Sequence, residues 1–130
     1  MVTIQVPAWP RWLFRAAITC ETVLAFAQAA LAGGFLAGHY DFLTLHNENG
    51  TLTGIAGLLS IGCAVMLWRP GRGPAWPIFA SCAVFVAEAG QIFLGYARIL
   101  AVHVPLGVAI VVVIVGLLVW AWREPRQVVA

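Results

Sequence analysis

The chain has 130 residues, of which 62% are hydrophobic and 9% charged, with a mean hydropathy of +0.95 and a net charge of +2. One domain's worth of chain this apolar is not an ordinary soluble domain; its composition is that of a protein solvated by lipid. The charge is too small, and its arginines too dispersed, to suggest nucleic acid as a partner.

Four apolar segments follow one another, over residues 13–38, 45–68, 76–95 and 102–122. Each is near or above the ~20 residues that a helix needs to cross the hydrocarbon core of a bilayer. The expected fold is an all-α integral membrane protein: a single up-down-up-down bundle of four transmembrane helices over 1–130, made of two tandem helical hairpins at about 13–68 and 76–122. Pro10 precedes the first segment, and Pro74 and Pro77 fall before or within the first turn of the third, where proline is tolerated. Pro105 is expected in the first turn of the fourth. Residues 11–29 also resemble a secretory signal with a small-residue cleavage site, but cleavage would remove one helix of a symmetric set.

Arg11 and Arg15 lie at the start of the first segment, Arg69 and Arg72 separate the second and third, and Arg123 and Arg126 follow the fourth; only Arg98 lies on the other side. The positive-inside rule then makes both termini cytoplasmic, and the all-arginine cation set hints at a bacterial inner membrane. Trp9, Trp12, Trp68, Trp76, Trp120 and Trp122 map to the arginine-rich side as an interfacial belt. Cys20, Cys63 and Cys82 lie in apolar runs without CxxC spacing and are expected to be small buried hydrophobes. Asn49-Gly50-Thr51 matches a glycosylation sequon that a bacterial source would make incidental.

Two connections echo each other without a gap. Gly38-x7-His46-x3-Gly50 and Gly95-x7-His103-x3-Gly107 are offset by 57 residues, both on the outer side. If the hairpins are related by a pseudo-two-fold axis, His46 and His103 lie at one depth and face the bundle interior. Two opposed neutral imidazoles are what a six-coordinate haem iron requires; zinc or copper would ask for a third or fourth ligand that is not evident. Gly50 and Gly107 share the faces of their histidines, and Gly54 extends one of them by a turn, which leaves room for a flat macrocycle. Close helix packing of the small-xxx-small type would need the same glycines. His39 is matched by Tyr96 in the second hairpin, so symmetry does not single it out. Arg98 has two candidate partners, a haem propionate or its repeat counterpart Asp41. Glu21, Gln28, Glu88 and Gln91 are costly in lipid and should face the interior, either as hydrogen-bonding glue or as a proton path or quinone contact. No nucleophile–base pair, phosphate-cradling loop or dense carboxylate cluster is visible, and nothing demands an enzyme.

Gln91-Ile-Phe-Leu94-Gly95 followed by a short outer loop and His103 resembles the second half of a four-helix unit of the heme A synthase family. Gly33-Gly34 and His46 resemble the first half. The resemblance covers 13–122 and implies one four-helix bundle of a family built from two, with haem ligated by His46 and His103 and Gln91 beside it. The family's substrate-processing half carries a glutamate three residues before its histidine, where this chain has Leu43, and the outer cysteine pair of many members is missing. The resemblance therefore implies haem binding and not oxidation of a haem methyl group.

The expected function is a small membrane cytochrome with one haem b held between the second and fourth helices near the outer face. It would transfer single electrons with quinol or within a larger membrane oxidoreductase complex. The expected site is His46 and His103 as metal ligands with Gly50, Gly107, Gln91 and Arg98 around the cofactor, and no catalytic residue is assigned. Besides the lipid bilayer, homo- and hetero-oligomeric partners stay open. The competing expectations are a cofactor-free membrane subunit or assembly factor, and a haem- or quinone-handling enzyme.

Overall fold

The computed structural model describes residues 7–123; Arg126 lies outside them. Four helices make up the fold: α1 (Trp9–Leu36), α2 (Asp41–Trp68), α3 (Trp76–Tyr96) and α4 (Leu100–Trp122). All four are long and apolar enough to cross a membrane, and the described residues contain no strand. Pro10 and Pro77 sit at the first positions of α1 and α3, where a missing N–H costs no intrahelical bond.

α2 and α4 begin earlier than their hydrophobicity suggests, because polar Asp41 and Thr44, and the residues around Leu100, complete first turns at the membrane surface. His46 is therefore the sixth residue of α2 and His103 the fourth of α4, rather than residues that open a helix. The early start of α4 also moves Pro105 beyond the first turn. Its ring occupies the place of a donor, so the Ala101 carbonyl lacks its usual intrahelical partner.

The residue pairs between neighbouring helices run in opposite order along the two chains. Arg15 near the start of α1 bonds Ala121 near the end of α4, and Glu21 meets Ser60 while Gln28 meets His46. Gly57 faces Glu88 and Gly54 faces Ile92, and Gln91 reaches His103. The helices form a ring in which α1 and α3 each pack on α2 and α4, whereas the diagonal pairs have no Cα atoms within 8 Å.

The apolar core is uneven along the axis. Phe14, Ile18, Ala64, Leu67, Ile114 and Leu117 are buried in the half that carries the tryptophans and most arginines. At that end Trp12 packs edge-on against Trp122, and Trp76 and Phe14 against Trp120. The opposite half, which carries the histidines, holds polar side chains in place of such a core. Outward faces are apolar, with Val23, Phe26, Leu58, Phe79, Val86 and Val112 among many exposed large hydrophobes, as lipid-facing surfaces are. Cys20 is exposed on such a face and Cys63 and Cys82 are half-buried, so the cysteines are not uniformly interior.

Candidate functional site

Both turns at the histidine end close in one way. The chain leaves α1 through Gly38 and α3 through Arg98, each with positive φ (97° and 57°). In each, the next amide reaches back five residues, His39 N–H to Gly34 O and Ile99 N–H to Leu94 O, which is the Schellman arrangement. Gly38 thus corresponds to Arg98 in structure, not to Gly95, which lies inside α3.

The histidines are held alike. The His46 Nδ1–H donates to the Gln28 carbonyl at 3.1 Å and the His103 Nδ1–H to the Gln91 carbonyl at 2.9 Å. A carbonyl accepts only, so each ring carries its proton on Nδ1 and leaves Nε2 as the nitrogen open to a ligand. The two rings meet edge to face, with centroids 6.2 Å apart and planes at 62°. Both are half-buried.

Gly50 and Gly107 have a role that spacing alone does not reveal. A Cβ on Gly50 would lie 3.0 Å from Gln28 Nε2, and one on Gly107 2.6 Å from Gln91 Nε2. The space below each histidine is thus taken by the amide of the glutamine whose carbonyl holds that histidine. This corrects the expectation that the glycines are kept clear for a macrocycle. Gly54 meets only the tip of Ile92, and Gly95 lets the His103 ring come close to α3, 3.1 Å from where its Cβ would be.

Gln28 escaped the sequence comparison for a geometric reason. It stands 18 residues before His46, whereas Gln91 stands 12 before His103, so an ungapped overlay pairs Gln91 with Gly34. The first hairpin has ten residues from Gln28 to Gly38 and eight from Gly38 to His46, against seven and five around Arg98. Each arm is three residues longer, about 4.5 Å of helix, and equal lengthening of both arms preserves the glutamine–histidine register.

The two sites differ in their second polar partner. Asn49 Nδ2 donates to Leu24 O and to Gln28 Oε1, both at 2.9 Å. The sequon asparagine is therefore engaged between α1 and α2. The equivalent position in the second hairpin is Leu106, so Gln91 Oε1 is buried without a partner while its Nε2 donates to His103 O at 2.7 Å. Arg98 and Asp41 are both exposed. His39 is exposed and tilted against Phe42, apart from the paired rings. Leu43 is exposed too.

Deeper in the bundle, Glu21 accepts a hydrogen bond from Ser60, and the Glu88 carboxyl lies against Gly57 with neither oxygen partnered. The expected interior placement of Glu21 and Glu88 is what the fold has, at 2% and 5% exposure. Among the described residues no three histidine, cysteine or acidic side chains converge, so a metal at the histidine pair would have two protein ligands. Comparison of the chain with protein-family models, with curated proteins and with solved structures found no match in any of the three.

Proposed function

We propose that the protein is a small membrane cytochrome of b type, with one haem held between α2 and α4 by His46 and His103. The observation that carries this reading is the pair of rings: Nδ1 of each tied to a carbonyl, Nε2 of each available, centroids 6.2 Å apart. His46 and His103 would hold the iron through their Nε2 nitrogens. The donor set is right for low-spin haem iron, and the carbonyl partners orient the rings and fix their tautomer. α2 and α4 stay apart at the diagonal of the ring, as a planar group between them needs. Arg98 stands at the same end as an exposed cation suited to a propionate.

Haem supplies a one-electron couple, and the protein's contribution is to hold both imidazoles, limit water and set the local charge. Its work would be electron transfer with a quinol or inside a larger oxidoreductase complex. The arginine and tryptophan bias supports a bacterial inner membrane with cytoplasmic termini, the histidines outside. The exposed Leu43, at the position of the heme A synthase glutamate, gives no support to substrate oxidation. A second reading, a cofactor-free subunit packed through glycine, draws support from the glutamine amides that fill the space at Gly50 and Gly107.

An absorption spectrum of protein expressed with ample haem separates the two. We expect a low-spin, bis-histidine spectrum that is lost in His46→Ala and in His103→Ala and kept in His39→Ala. A colourless wild-type protein that co-purifies with a stoichiometric partner would establish the second reading instead.

A further inference from the structure

Four buried side-chain oxygens lack hydrogen-bond partners among the described residues: Ser81 Oγ, both oxygens of Glu88 and Gln91 Oε1. They are not scattered. Ser81, Glu88 and Gln91 follow at intervals of seven and three along α3, so they lie on a single face of that helix. Ser81 is 1% exposed and Glu88 5%, so neither can turn to bulk solvent. Across from them α2 carries Ser60, which bonds Glu21 of α1, and three residues before it on the same face the bare backbone of Gly57, against which Glu88 lies. The groups span about 15 Å of helix, from the half that holds the apolar core to the glutamine that binds His103.

Unpartnered buried oxygens in native proteins are in general met by internal water, which bridges two to four polar groups. Two carboxyl groups that meet α2 within one helical turn of each other inside hydrocarbon also cannot both stay charged without a cation to offset their desolvation. Among the described residues no cationic side chain bonds them. Apart from the two acids, the ionisable groups on the four helices are Arg11, Arg15 and Cys20 on α1, Asp41, His46, Glu48 and Cys63 on α2, Cys82 and Tyr96 on α3, and His103 on α4. Arg15, the buried arginine, is committed to Ala121 O and to the rings of Trp12 and Trp122 at the bundle's end.

We propose that Glu88, with Glu21 and Ser60, forms a proton-exchange site in the middle of the bundle, joined by bound water along α3 to Ser81 on one side and Gln91 on the other. A carboxylic proton on Glu88 passes to an adjacent water while another arrives from the opposite neighbour, so the site turns over protons without gaining or losing charge. This goes beyond the electron-transfer reading and holds whether or not a haem is bound.

The test uses the full chain in lipid nanodiscs and infrared spectroscopy in H2O and D2O, without cofactor. Wild-type protein should show a protonated-carboxyl band at neutral pH that shifts on transfer to D2O. Glu88→Gln should remove that band while circular dichroism stays helical. Ser81→Ala, which leaves both acids in place, should slow the deuterium exchange of the band several-fold. A wild-type protein without the band, a band unmoved by D2O, or one unchanged in Glu88→Gln overturns the proposal. Should Glu88→Gln fail to fold, the Ser81→Ala exchange rate decides: equality with wild type overturns the water path. Because the assay needs no haem, a colourless protein would sink the cytochrome reading and leave this result standing.

Discussion

A glycine four residues after a histidine is ambiguous in sequence, since a cofactor edge and a packed neighbour both ask for a missing side chain. Here a neighbour occupies the place. At Gly107 an added methyl would come within 2.6 Å of the Gln91 amide, which would have to leave the His103 carbonyl it bonds. Gly107→Ala is expected to destabilise the bundle by about 1–2 kcal/mol, the usual worth of a buried hydrogen bond with some overpacking. Gly50→Ala, with 3.0 Å to Gln28, should cost about half of that. Unfolding titrations in mixed detergent micelles measure both; a Gly107→Ala protein as stable as wild type would mean that the Gln91 amide is not needed where it lies. The same scale explains why His39 and the paired histidines part company. His39 rests on Phe42 near a turn, whereas His46 and His103 have backbone carbonyls within reach of Nδ1.

Among the elements, the two hairpins share a plan but not a length. Both end their first helix on a left-handed residue, and only the first hairpin uses glycine for it. An L side chain in that region costs about 1 kcal/mol, so Arg98→Gly should stabilise the protein by up to about 1 kcal/mol. The same titration would show it, and a loss of stability would indicate that the Arg98 side chain contributes more than its backbone strain costs. The strain makes functional sense if the guanidinium is wanted beside an anionic group at this end. The extra three residues in each arm of the first hairpin are invisible to an ungapped overlay. Such an overlay can find His46 with His103 and Gly50 with Gly107, yet it must miss Gln28 and misplace Gly38.

For the whole molecule, the arginine–tryptophan end acts as a clamp. Arg15 donates Nε–H to Ala121 O at 2.8 Å and lies 4.9 and 5.1 Å from the rings of Trp12 and Trp122, which ties the first helix to the last. Arg15→Ala should cost about 2–3 kcal/mol, from a charged hydrogen bond and two cation–π contacts. Arg15→Lys should recover less than half, because an ammonium lacks the planar fork. Thermal unfolding in nanodiscs reads both, and an unperturbed Arg15→Ala would show that apolar packing alone closes the ring. Four membrane-length helices and a candidate pair of histidines were determined by composition and spacing, since twenty apolar residues in lipid have few alternatives to a helix. Tertiary structure alone decided which carbonyls hold those histidines, that glutamines fill the glycine notches, and that Ser81, Glu88 and Gln91 share one unsatisfied face. Hydrophobic length acts within a segment and is written in consecutive residues. The histidine and glycine contacts join residues 12 to 22 positions apart, and they, like the lack of partners along the α3 face, follow only once the helices are set side by side.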